Sequence, residues 1–433
     1  MTQIEIPHET PPSRPGAPAG PVGVAGQKPT VGRLAGVDLA RALAVFGMFA
    51  VHVAPAPEDV SGFRGWLLQL AFGRSSVLFA MLAGFSLMLI AGRREPKTGL
   101  AGRQAKARIA IRAVVLLALG TALTILQNGI IVILAFYGVY FLLALPLVRL
   151  RARTLAITAA VLALVAPQAA FGLERLLSPS LTNTLDSYDP IDRLGGDGLL
   201  DLLLNGTYPT ITWLPYVIAG MALARVDLAA GVVQRRLAAL GAALTALGYG
   251  AAWLAPKLFP SLRAYETGAN GADMASMKEL FANMEVKSLE PGSAEFEAIQ
   301  NSFQDRFDTN PSSSTVLDLL GSDPHTGTTF DIVGSLGVAI TVLVCATVAM
   351  ERLGWLRRLA SPLVAVGTMS LTLYVAHVVA YAMLPERATD TFVPLLGFIA
   401  GAILFAAVWS RFFRRGPLEH LLNSTTKLAT FVR

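Results

Sequence analysis

Ten apolar stretches, each close to the roughly 20 residues a helix needs to cross a bilayer, recur along the chain near 36–54, 72–92, 109–126, 129–148, 154–174, 209–224, 237–256, 330–350, 361–384 and 392–413. That pattern excludes an ordinary soluble domain. Of 433 residues, 54% are hydrophobic and 15% charged, and the mean hydropathy is +0.56, so the chain belongs with polytopic membrane proteins. Continuous apolar runs of this length cross lipid as helices, whose backbone groups are hydrogen-bonded within the segment. The expected fold class is therefore all-α: a membrane helix bundle of about ten transmembrane helices, with the shallow 129–148 stretch open to a partly re-entrant reading.

The connections between these stretches sort by charge. One set reads "GRREPKTGLAGRQAKAR", "RLRAR", "ARVDLAAGVVQRR", "ERLGWLRR" and "RFFRRG"; the other includes "APEDVSGF", "QNG" and "LDSYDPIDRLGGDGLLD". The first set is basic and the second neutral or acidic, so the positive-inside rule puts the basic loops and both termini in the cytosol. The expected divisions are a disordered cytoplasmic tail over 1–32, helices 1–7 over 33–256, a long exoplasmic loop over 257–329, helices 8–10 over 330–413 and a cytoplasmic tail over 414–433. Residues 1–32, rich in Pro, Gly and Thr, hold no apolar run and do not read as a signal peptide. In the long loop, Met277, Leu280, Phe281 and Met284, and again Phe296, Ile299, Phe303 and Phe307, follow helical spacing. Two short amphipathic helices are expected there, lying on the membrane surface or forming a lid.

Several chemistries are excluded early. The single cysteine, Cys345, has no partner for a disulfide, and no metal-ligand spacing, phosphate loop or protease triad stands out, so no bound metal is expected. The net charge of +6 reflects loop topology, and no nucleic-acid partner is expected.

The chemistry-bearing residues lie in the spans. In "RLAGVDLARALAVFGMFAVHV", Arg41 and His52 are eleven residues apart, which places them on one helix face about 16 Å apart along the axis. Asp38 sits three residues before Arg41 and can pair with it. Ionisable groups facing lipid are costly, so this stripe should face the bundle interior or a water-filled cavity. Two readings stand for it: a functional path, or a polar knit between helix ends with His52 at the interface. A second stripe in "AVGTMSLTLYVAHVVAYAM" puts Gly367, Ser370, Tyr374, His377 and Tyr381 on one face, with His377 at a depth comparable with His52. Interhelical hydrogen bonding is the competing explanation for it. Arg74, Ser75 and Ser76 fall in the outer half of the second span. Asn205, Tyr208, Thr210, Trp213, His325 and Thr328 lie at outer mouths of others, where polar anchoring is ordinary.

The arginine, ten residues, histidine spacing of Arg41 and His52 resembles that of membrane acyltransferase family 3, as does "LFAMLAGFSLML". The segments "RLAGVDLARALAVFGMFAVH", "GRSSVLFAMLAGFSLML", "GTYPTITWLPYVIAGMALAR", "VGTMSLTLYVAHV" and "RGPLEHLL" are more similar to the YeiB-like family of bacterial membrane proteins, related to heparan-alpha-glucosaminide N-acetyltransferase. The likeness runs from about 33 to 423, apart from 262–315. His52 stands where YeiB-like proteins commonly carry Asn, which moves the chain toward the acyltransferase pattern, and no position matches the exoplasmic-loop histidine of the heparan enzyme.

The resemblance implies a multi-pass protein of the bacterial inner membrane that moves an acyl group from a cytosolic acyl-CoA, acetyl-CoA in the first instance. The receiving group would be a hydroxyl or amine of an extracytoplasmic envelope glycan or glycolipid. The expected catalytic residues are then His52 as general base, Arg41 on the donor path, and Arg74 or His377 stabilising the oxyanion. Asp38, Arg93, Arg94, Arg108 and Arg112 are the expected donor-binding residues, with positive-inside topology or lipid headgroups as competing reasons for the arginines. Membrane lipids are partners, and an oligomer is allowed. The alternative function is a transporter or lipid-handling protein with an ion- or proton-binding His/Arg cavity.

Overall fold

A computed structural model describes residues 31–125, 130–191, 197–259, 319–385 and 388–432. The amphipathic segments read between Met277 and Phe307, and the tail before residue 31, lie outside the described residues.

The described residues form helices and turns without strands. In chain order the helices are α1 (Val31–Val53), α2 (Gly62–Ala71), α3 (Arg74–Ala91), α4 (Gly99–Thr124), α5 (Leu134–Ala144), α6 (Ala152–Leu176), α7 (Pro179–Tyr188), α8 (Thr210–Arg225), α9 (Gly231–Leu258), α10 (Thr329–Arg352), α11 (Gly354–Leu359), α12 (Ser361–Thr368), α13 (Ser370–Tyr381), α14 (Val393–Trp409) and α15 (Pro417–Thr425). Each of the ten apolar stretches contains helix among the described residues, but they are not ten equivalent crossings. Among the described residues six spans are long and apolar enough to cross a membrane, with α2 and α3 counted as one. The α12–α13 pair adds a seventh if it is read as one span bent by 80°, whereas α14 and α5 with its 3-10 extension to Arg149 are shorter. Helix α8 has 16 residues.

Burial separates a centre from a periphery. Helices α3 and α8 are buried along most of their length, and they approach closely because Gly84 lies on the Val217 backbone and Gly220 on the Met81 backbone. A Cβ at either position would collide with a carbonyl, so these glycines set the crossing. Around them α4, α6, α9 and α14 turn large apolar side chains outward, among them Val114, Val161, Leu164, Leu247 and Leu404. Such a surface suits lipid and would be a liability in water.

The sharp break between α12 and α13 has a local cause. Gly367 packs against the Asp38 backbone of α1, where no larger residue fits, and Met369 leaves helical geometry at φ −116°, ψ 25°. Breaking a helix strands backbone N–H groups at the new N-terminus. Glu419 of α15 accepts from the Leu371 and Thr372 N–H groups at 2.8 and 3.2 Å and from Thr372 Oγ1 at 2.5 Å. A carboxylate there also suits the positive end of the helix dipole. The C-terminal "RGPLEHLL" segment thus holds the bend that aims Tyr374 and His377.

Candidate active site

Two cavities enter the bundle from opposite ends. Helix α1 runs past both, with Asp38 and Arg41 at one and His52 at the other, while α3 runs the opposite way.

The first cavity, of about 840 Å³, is basic. Its wall carries Arg41, Lys97, Arg108, Arg112, Arg414, Arg415 and Lys427 against two carboxylates, Asp38 and Glu419. Several guanidinium forks and ammonium groups around one space suit a ligand bearing several phosphates. Arg41 is held in place: one guanidinium nitrogen pairs with Asp38, three residues earlier, and the other donates to Ser86 Oγ on α3 at 2.9 Å. The pair therefore knits α1 to α3 and lines the cavity at once. Arg108 and Arg112 line it from α4. Arg93 and Arg94 do not. Arg93 follows the left-handed Gly92 cap, with its own φ at 53°, and its carbonyl accepts from Arg225, while Arg94 pairs with Asp227 at 2.5 Å. These two join the α3–α4 turn to the end of α8.

The second cavity, of about 1090 Å³, is of mixed charge. His52, Gln69, Arg64 and Arg74 line it together with Asp59, Asp323 and Asp390. Arg74 is fixed by several partners. Its Nη1 donates to the Gln69 and Phe72 carbonyls, its Nε donates to Tyr249 Oη at 3.1 Å, and its guanidinium lies 4.9 Å from the Tyr249 ring centre. Tyr249 Oη in turn meets Ser335 Oγ at 2.9 Å, and Ser335 donates to the buried Asp331 at 2.8 Å. A chain of hydrogen bonds across α9 and α10 thus anchors the cation.

The two histidine stripes face each other. His52 Nδ1 and His377 Nε2 are 3.0 Å apart, and the rings lie within 7° of parallel. At that separation one nitrogen donates a proton that the other accepts, so the pair can hold and pass a proton. His377 is buried against Phe49 at 4.8 Å and Tyr374 at 5.0 Å. Tyr374 then stacks on Phe79, and Phe79 contacts Tyr137, both of which bear on the basic cavity. His52 opens to one cavity and an aromatic plug separates it from the other.

His325 lies beside the second cavity, among Tyr208, Trp213 and Phe72, in a backbone conformation with φ 69° that non-glycine residues seldom adopt. Burial pushes its imidazole down to about 4. From the sequence alone it is an ordinary interfacial residue at an outer mouth. Lys97, Arg414 and Arg415 carry no mark in the sequence beyond membership of basic loops, Lys427 none beyond its place in the C-terminal tail, and Tyr137 none beyond its place in a shallow span. Only "RGPLEHLL", singled out for its resemblance, pointed at Glu419. Of the other outer-mouth residues, Tyr208, Thr210, Trp213 and Thr328 are buried, and Thr328 caps α10 by accepting from the Asp331 N–H. Among the described residues no group of three or more His, Cys, Asp or Glu is placed to hold a metal ion.

Comparison with known families agrees with this geometry. Residues 33–254 match the family described as heparan-alpha-glucosaminide N-acetyltransferase, catalytic, and residues 319–429 match one described as a protein of unknown function (DUF418). No curated protein and no solved structure matches. The first match spans just over half of the chain, includes His52, Arg74 and, of the basic cavity, Asp38, Arg41, Arg108 and Arg112, and points to a membrane acetyltransferase. The chain belongs to the family of the heparan-alpha-glucosaminide N-acetyltransferase catalytic domain, in a YeiB-like branch related to that enzyme.

Proposed function

We propose that this protein carries an acetyl group through the bundle, from acetyl-CoA held in the basic cavity to a hydroxyl or amine presented in the opposite one. The observation that carries the reading is the His52–His377 pair, 3.0 Å apart at the point where the second cavity ends. By the positive-inside rule the basic cavity opens to the cytosol, where acyl-CoA is available, and the mixed cavity faces an envelope glycan or glycolipid. The phosphates of the donor are held by Arg108, Arg112 and the C-terminal arginines, and its thin pantetheine arm extends past Arg41 toward the plug. His52 takes the proton of the acceptor, with His377 sharing it, while Arg74 supplies positive charge in the acceptor cavity. The site of action is then the bacterial inner membrane.

The test is reconstitution in vesicles with labelled acetyl-CoA outside and a glucosamine-terminated acceptor within, or the reverse orientation. Transfer of label that His52→Ala abolishes, with normal insertion, is the expected result. A transporter remains the competing reading because cavities at opposite ends and a helix broken by 80° also suit alternating access. Under that reading His52→Ala leaves acetylation unchanged and alters solute flux.

A further inference from the structure

Among the described residues, two buried tyrosine hydroxyls near the centre of the bundle have partners and a third does not. Tyr140 Oη donates to the Tyr208 carbonyl at 2.5 Å, and Tyr374 Oη accepts from the Ile133 N–H at 3.2 Å. Tyr137 is just 2% exposed, and its Oη has no hydrogen-bond partner among the described residues. Buried polar atoms are nearly always paired, and an unpaired one asks for an explanation. Packing alone does not supply it, because Phe occupies comparable buried positions nearby at 79, 136 and 141 and fills space equally well.

The position of Tyr137 supplies one. It lines the basic cavity at the end farthest from the cationic rim. Along α3 the cavity wall runs from Ile90, near Lys97, to Phe79, and along α5 from Phe141 to Leu134, so Phe79, Leu134 and Tyr137 form its deep end. Ile90 and Phe79, 11 positions apart on the helix, are separated by about 16 Å, which sets a phosphate-binding rim well apart from an apolar floor. On the far side of Phe79 stands Tyr374, whose ring meets His377.

Resting on the acetyl-transfer reading, we propose that Tyr137 is a further catalytic residue, whose hydroxyl donates a hydrogen bond to the thioester carbonyl oxygen of acetyl-CoA. A donor whose phosphates sit at the rim extends its acyl end to the floor, where Tyr137 is the polar group without a partner. In the transfer step the acceptor oxygen or nitrogen forms a bond to the carbonyl carbon while the C=O π pair moves onto oxygen. The acceptor proton passes to the His52–His377 pair. Tyr137 stabilises the resulting oxyanion, as a positioned hydroxyl does for a tetrahedral intermediate. Collapse re-forms the C=O bond and breaks the C–S bond, and the departing CoA thiolate receives the proton from the histidines. For acceptor and carbonyl to meet, the Phe79 and Tyr374 rings between them must yield.

The experiment uses the full chain in detergent or nanodiscs, with acetyl-CoA carrying 13C at the thioester carbonyl and difference infrared spectroscopy as the readout. In the wild type the bound carbonyl band should lie below that in a non-donating environment, and Tyr137→Phe should move it back up. Acetyl transfer to a glucosamine-terminated acceptor should fall in kcat by about 10²-fold, the scale for losing one oxyanion donor, with little change in the KM for acetyl-CoA. Placing 3-fluorotyrosine at position 137, a more acidic phenol of nearly the same shape, should shift the band further down. Tyr140→Phe, which removes a paired hydroxyl one turn away, should leave it in place. A band unmoved by both changes at Tyr137, with transfer intact, overturns the assignment and leaves the acetyl-transfer reading standing. A wild-type protein that does not bind acetyl-CoA overturns both.

Discussion

The two cavities share helices α1 and α3 and differ in almost everything else. The basic one gathers seven cations against two carboxylates from five parts of the chain, including its last residues, and narrows to an apolar floor. The other balances Arg64 and Arg74 against Asp59, Asp323 and Asp390 and ends on an imidazole. A net-positive space selects for charge, whereas a balanced one selects through hydrogen-bond geometry. The first therefore suits a polyphosphate-bearing donor and the second a polar, weakly charged acceptor.

If that division holds, substitutions at each end should fail differently. His52→Ala should have the largest effect, a loss of about 10²- to 10⁴-fold in transfer, the usual contribution of a general base, with acetyl-CoA affinity retained in a binding assay. Loss of donor binding as well would mean that the two ends are not separate.

The neighbourhood of the second cavity, where His325 lies beside the wall, should also be the pH-sensitive one. Folded, the imidazole of His325 is held down at about 4, against 6.5 for the ordinary side chain, so the unfolded chain binds the proton more readily. Its contribution is complete above pH 6.5 and lost as pH falls toward 4, a change on the order of 3 kcal/mol. Thermal melts in detergent should show wild type losing more stability than His325→Phe between pH 7 and 4. Equal losses would place the acid sensitivity elsewhere.

Glu419→Gln probes the bend between them. Replacing the carboxylate that caps α13 with an amide weakens three hydrogen bonds. A cost of about 1–3 kcal/mol is expected, read as a lower Tm together with slower transfer, because α13 carries Tyr374 and His377. Arg112→Gln should have a milder consequence, a weakening of acetyl-CoA binding of roughly tenfold for a charge-assisted phosphate contact, and no effect on acceptor affinity. Arg94→Gln, remote from the cavity, should leave donor affinity unchanged and only loosen the pair with Asp227.

That last contrast marks where sequence reading reached its limit. Arg94, Arg108 and Arg112 look alike in a basic loop and helix start, since positive-inside topology demands all of them. Packing alone decides that two face the cavity and one pairs with Asp227. Asp38, Arg41 and His52 were legible as one face because the helical period is rigid. Their partners Ser86 and His377 were not, because they lie 45 and 325 residues away from the side chains they meet. Tyr137 gave no signal at all: an unpaired hydroxyl is a property of its surroundings.

The sequence by itself determined that this chain is a helical membrane protein and that its ionisable residues run in stripes along buried faces. Continuous apolar runs long enough to cross lipid satisfy their backbone groups as helices, and lipid penalises charge on the outer surface. Only the tertiary structure decided that two stripes meet at a histidine pair, that Glu419 holds a broken helix open beside it, and that two unlike cavities end on either side. Those outcomes depend on how helices rotate and cross, which close contacts such as Gly367 on Asp38 and Gly84 on Val217 settle only once the bundle has assembled.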